Sequence, residues 1–106
     1  MTQPSLTLWP HLQRISNMAC SRFKLNLKEL RPMTNMRKRT YGDCSKKGIV
    51  ELRVHMLNHP NVALSRFIIV STLAHELAHL KEWRHGKAHK ALALDIMIYW
   101  KEEGVA

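Results

Sequence analysis

The chain has 106 residues, of which 45% are hydrophobic and 24% charged. That length suits one domain with one modest core, and the composition excludes a disordered chain. Two cysteines, Cys20 and Cys44, exclude a disulfide framework and a four-cysteine metal site, and no apolar run reaches the ~18 residues of a membrane span. Seventeen Lys and Arg against eight acids give a net charge of +9. The excess is lopsided: residues 1–53 hold eleven against three, net +8, and residues 54–106 hold six against five, net +1. The basic half would attract a polyanion, of which nucleic acid is the usual one; the plainer reading is a well-solvated basic surface. Met1 to Asn17 mixes Gln, Pro, His and Arg with apolar residues, unlike a signal peptide. The expectation is a single cytoplasmic domain over 1–106.

In chain order, Leu8, Leu12, Ile15 and Met18–Ala19 recur at helical spacing, which predicts a helix over about 6–22, with Pro10 tolerable in its first turn. Residues 23–31 alternate, Phe23, Leu25 and Leu27 against Lys24, Asn26 and Lys28, and predict a half-buried strand. A second, highly basic strand is expected over about 37–44. Gly42 and the stretch Ser45-Lys46-Lys47-Gly48 supply a hairpin connection. A third strand is expected over 49–57, with Val50, Leu52, Val54 and Met56 on one face and Glu51, Arg53 and His55 on a wetter one. After the break at Asn58–Asn61 a helix is expected over about 62–81, its segment Phe67-Ile68-Ile69-Val70 apolar all round and therefore buried. A last helix should cover about 87–102, with Leu92, Ile96, Tyr99 and Trp100 on one stripe. The order implies an α+β fold: an N-terminal helix, a three-stranded, mainly antiparallel sheet, a central helix and a C-terminal helix.

The central helix carries His75-Glu76-Leu77-Ala78-His79. Residues four apart share one helical face, so both imidazoles can point at one metal ion, and Glu76 stands one step round, within reach of a water at that ion. Catalytic zinc sites keep three protein ligands and one open position, so a third ligand is needed. His85 lies six residues past His79, beyond a possible bend at Glu82 to Arg84 that would return it beneath the helix. An H-E-x-x-H match arises by chance in roughly 2–3% of chains of this composition. Without a metal, two His and a Glu in an apolar helix would also cost several kcal/mol of desolvation, on the order of the penalty for unpaired buried polar groups.

The segment Arg39 to Leu92 resembles the SprT-like, WLM and YgjP-type zinc metallopeptidases. It carries Gly42-Asp43-Cys44-Ser45 after a basic strand, then a strand, the H-E-L-A-H helix, and His85-Gly86-Lys87-Ala88-His89. The resemblance implies a small zincin-like domain that hydrolyses peptide bonds by Glu-assisted attack of metal-activated water. Under it, Zn2+ is held by His75, His79 and His85, and Glu76 is the general base. Against that family the chain reads as a minimal catalytic unit without a zinc-ribbon tail, so that substrate recognition would be reduced or partner-supplied. His89 replaces the family's aromatic and is either a half-buried substitute, an extra ligand or a support for the ligands. Glu82 stands where metzincins need Gly, which excludes that subgroup.

Other residues have weaker claims. Cys44 is either an inhibitory thiolate or a buried turn cysteine. Tyr41 is an oxyanion donor or a packing residue, and Trp83 a lid or a packing residue. His55 and His59 read as surface histidines. Arg37, Lys38, Arg39, Lys46 and Lys47 could contact nucleic-acid phosphates, or could simply defend an edge strand with charge. A peptide substrate would pair with an exposed edge strand, expected at 49–57. Two other functions compete: a zinc-dependent endoribonuclease of the rRNA-maturation type, which lacks a Glu beside its first histidine, and a non-catalytic basic nucleic-acid-binding module.

Overall fold

A computed structural model describes residues 4–34, 40–55 and 64–105, with side chains from residue 8. Three helices and three strands form an α+β fold in the order α1 (Pro4–Phe23), β1 (Glu29–Pro32), β2 (Gly42–Cys44), β3 (Ile49–Leu52), α2 (Arg66–Ala78) and α3 (Lys87–Glu102). No helix among the described residues is long and apolar enough to cross a membrane. Arg37, Lys38, Arg39, Met56 and His59 lie outside the described residues.

Helix α1 buries Leu12, Ile15 and Ala19, spaced three and four apart, against the core. It stops at Lys24, whose φ of 58° is left-handed, and the Leu25 amide donates back to the Cys20 carbonyl at 2.9 Å. The backbone of 23–28 is therefore helix end and loop rather than strand. The alternation read from the sequence survives only as burial: Leu25 is buried between exposed Lys24 and Asn26. Pairing begins at Glu29, and Gln13 Nε2 donates to the Leu30 carbonyl at 3.0 Å, tying α1 to that edge of the sheet.

The sheet order is β1-β3-β2, with β2 antiparallel to β3 and β1 parallel to it. The sheet is thus mixed where a mainly antiparallel one was expected. Only the hairpin partners, β2 and β3, are joined by a tight turn. β1 lies on the far side of β3 from β2 and runs in the same direction as β3. The hairpin turns at Ser45–Gly48: the Gly48 amide donates to the Ser45 carbonyl at 3.1 Å, and Gly48 sits at φ 88°. A Cβ there would stand 3.0 Å from the Asn26 carbonyl oxygen, so this turn selects glycine twice over.

Three expectations about edges and faces fail. β3 is the central strand, so the edge offered to a partner chain is not 49–57. Arg53, expected on the wet side, is 3% exposed. Its Nε donates to the Thr40 carbonyl at 3.1 Å and its amide to the Tyr41 carbonyl at 2.8 Å, so it clamps the approach to β2. Helix α2 starts at Ser65, whose Oγ accepts the Ile68 amide. Its buried stripe is Ile69, Val70, Leu73, Ala74, Leu77 and Ala78. Phe67, expected to be buried, is 72% exposed because the first turn of α2 presents a side to solvent that neither sheet nor helix covers. Helix α3 packs along α2, and its fully buried Trp100 donates Nε1–H to the Ile15 carbonyl at 2.9 Å. That one side chain both fills the core and locks α3 to α1.

Candidate metal centre

His75 and Glu76 occupy the last turns of α2, and His79 caps it. The helix tightens as it ends: the amides of His79, Leu80 and Lys81 bond three residues back, to Glu76, Leu77 and Ala78. This tightening reverses the chain, and His85 returns to the α2 face. The Nε2 atoms of the three histidines form a small triangle, His75–His79 3.3 Å, His75–His85 3.1 Å and His79–His85 3.0 Å. No placement of protons satisfies all three sides. An imidazole nitrogen either carries a hydrogen or offers a lone pair, so at least one side always joins two alike. A cation facing three lone pairs removes the conflict, and this donor set therefore fits a metal ion.

The neighbours prepare those lone pairs. A carbonyl only accepts, so the His79 contact to the Glu82 carbonyl at 3.3 Å fixes its Nδ1 as donor and leaves Nε2 bare. Burial, then the neighbouring His89, His79 and His85, pulls the His75 pKa down to about 4, and burial with His89 lowers that of His79. Both rings are thus neutral and available at physiological pH. His89 is buried on α3. It donates Nε2–H to the His75 carbonyl at 2.9 Å and stacks on the His79 ring, centroids 4.1 Å apart and planes 25° from parallel. One nitrogen each of His75, His79 and His89 also falls within 4.8 Å. That grouping is looser than the Nε2 triangle, and Nε2 of His89 is already engaged by a carbonyl.

Glu76 is 7% exposed. Burial, helped by Asp43, raises its pKa to about 7. Strand β2 presses against it at Gly42. A Cβ on Gly42 would stand 2.7 Å from Thr72 Cγ2 and 3.0 Å from Glu76 Cγ. Gly42→Ala should accordingly push β2 away from α2 and cost about 1–3 kcal/mol by overpacking. The denaturation midpoint and kcat/KM should fall together; an unchanged midpoint would show that β2 gives way freely. The sequence presented Gly42 only as part of a turn, and its close approach to the carboxylate was not readable there.

The histidines and Glu76 open into a cleft of about 1030 Å³, whose opposite wall is Thr40 to Cys44. Tyr41 and Trp83, both 43% exposed, line it. Cys44 is a buried thiol whose pKa is raised to about 11 by burial, then by Glu76 and Asp43, the opposite of a ligating thiolate. His55 is half-buried and does not line the cleft. Lys46 and Lys47 are exposed at the hairpin tip.

Comparison with solved structures finds two crystal structures of Wss1 from Saccharomyces cerevisiae, one of them a mutant. The mutant aligns at a TM-score of 0.82 with 16% identity, covering 96% of this chain and 84% of that one. The other gives 0.82 with 17% identity, covering 94% and 81%. At those identities the likeness is one of fold. None of the curated proteins compared with the chain matches it significantly. The model of the YgjP-like metallopeptidase domain matches residues 8–104. A histidine triangle beside a buried glutamate, on this fold and under a family match of that extent, places the chain in the YgjP-like metallopeptidase family.

Proposed function

We propose that the protein is a zinc-dependent peptidase in which His75, His79 and His85 hold the metal through Nε2 and Glu76 is the general base. The observation that carries this reading is the Nε2 triangle, with sides of 3.0–3.3 Å. Nitrogens held about 2.0–2.1 Å from one tetrahedral zinc stand roughly 3.3–3.4 Å apart, so the triangle needs to open by only a few tenths of an ångström. Bound zinc supplies a Lewis acid that lowers the pKa of water and polarises a carbonyl. The residues of the chain do the rest. Glu76, with a pKa raised to about 7, accepts a proton from the attacking water and returns it to the leaving amide nitrogen. Its burial keeps bulk water from competing for that proton. The outer edge of β2 borders the cleft and supports a substrate strand running antiparallel to it by main-chain hydrogen bonds. Glu76 beside the first histidine favours peptide over RNA hydrolysis, because the endoribonuclease pattern has no carboxylate there.

The test is hydrolysis of an unfolded protein such as casein by the purified chain. Chelator should abolish it, and one equivalent of zinc should restore it. Turnover that persists when metal analysis reads zero would end the proposal. The net charge of +8 over residues 1–53, eleven basic against three acidic side chains, supports attraction to polyanions of any kind. The assay therefore carries single-stranded DNA and RNA arms, which read activation or nucleic-acid cleavage directly.

A further inference from the structure

A second groove, of about 480 Å³, adjoins the cleft and shares His79 and Trp83 with it. We propose that this groove is a specificity subsite that selects polypeptides with an acidic residue on the N-terminal side of the scissile bond; the proposal rests on the peptidase reading above.

The charge changes from mixed to purely basic at Trp83. The cleft carries the carboxyls of Asp43 and Glu76 together with the guanidinium of Arg84. Of the nine residues lining the groove, three are lysines, Lys46, Lys47 and Lys81, and none is acidic. Two of the three ammonium groups are positioned by the fold. Lys46 Nζ stands 5.6 Å from the centre of the Trp83 ring, a cation–π distance, and the Trp83 ring in turn lies 5.9 Å from that of His79. Lys81 Nζ donates to the Phe23 carbonyl at 3.5 Å. A lysine already held in place loses less side-chain freedom when it meets a carboxylate, so more of the attraction reaches the bound state.

The direction follows from the sheet. β2 runs from Gly42 to Cys44 and passes straight into the turn that carries Lys46 and Lys47. A substrate strand antiparallel to β2 has its N-terminal part at that end. With its reacting bond at the histidine triangle and a rise of about 3.3 Å per residue, a side chain one to three residues upstream meets the groove. A nucleic-acid phosphate is the competing occupant of a lysine groove. The wall shared with the peptidase cleft, and the turn leaving edge strand β2 that lines the groove, favour a polypeptide.

The experiment uses the full chain with one equivalent of zinc and two peptides that differ only by Glu or Gln upstream of the cleaved bond. The expected kcat/KM is about three- to tenfold higher for the Glu peptide at low salt, the size of one or two partly exposed ion pairs, and the ratio shrinks as salt is added. Lys46→Gln with Lys47→Gln should bring the ratio towards one, and Lys46→Glu with Lys47→Glu should invert it; near-UV circular dichroism checks the fold of each. The same two peptides are also titrated against the Glu76→Gln protein, which reads the groove without turnover. A Glu preference in binding with no cleavage by the wild type defeats the peptidase reading and leaves the groove standing. Cleavage of both peptides at equal rates, or a preference untouched by either lysine pair, overturns the groove. Binding of a single-stranded oligonucleotide that depends on Lys46 and Lys47, with no discrimination between the peptides, gives the lysines to nucleic acid and overturns it too.

Discussion

Glu76→Gln should leave one equivalent of zinc bound while lowering kcat/KM for peptide hydrolysis by about 10²–10⁴-fold, the usual contribution of a positioned general base. The substitution is nearly isosteric, which matters here because Gly42 and Thr72 crowd the side chain. It removes the proton acceptor and nothing else. The buried carboxyl holds its proton up to a pH of about 7, so its charged form is the disfavoured one in this setting. A neutral amide avoids that cost, and the metal-free variant should be at least as stable as the wild type at neutral pH. Measuring metal content, melting temperature and turnover on one preparation separates the possible roles. Full turnover in the variant would exclude Glu76 as the base. Loss of zinc with intact folding would instead make Glu76 a ligand.

The features that could be read from the sequence are those set by short-range periodicity. The span of α3, the apolar stripe of α2 from Ile69 onward and the hairpin at Ser45–Gly48 all follow from spacing or turn chemistry, and the structure has them. The pairing of His75 with His79 is likewise fixed by four-residue spacing. The return of His85 is less local. It depends on how the last turn of α2 tightens between His79 and Lys81, which no residue there announces. Sheet order was not legible at all, because alternation says which face a strand buries and not which neighbour it takes. Hence β1 came out parallel to a central β3, and the edge beside the cleft is β2 rather than 49–57. Arg53 misled for a related reason. Alternation assigned it to the wet face, but its side chain turns inward to donate Nε–H to the Thr40 carbonyl. Phe67 erred in the other direction, since a run of apolar residues cannot tell which helix side the fold leaves uncovered.

His85→Ala should weaken zinc binding by more than about 100-fold, beyond the 10–100-fold typical of residues that only support ligands. His85 is exposed and lies in the loop before α3, so its removal should shift metal-free stability by no more than about 0.5 kcal/mol, as for an ordinary surface position. Loss of metal is then separable from loss of fold. In the wild type, zinc at 100 times its dissociation constant should add about 2.7 kcal/mol to unfolding, and in His85→Ala that increment should fall to about 0.4 kcal/mol or less at the same zinc concentration. His89 provides the contrast. His89→Phe keeps a ring against His79 but gives up the hydrogen bond to the His75 carbonyl, so it should retain one equivalent of zinc with affinity reduced by about tenfold. The two variants together decide between the triangle and the looser grouping. If His85→Ala still binds one equivalent tightly while His89→Phe binds none, the ligand set is His75, His79 and His89.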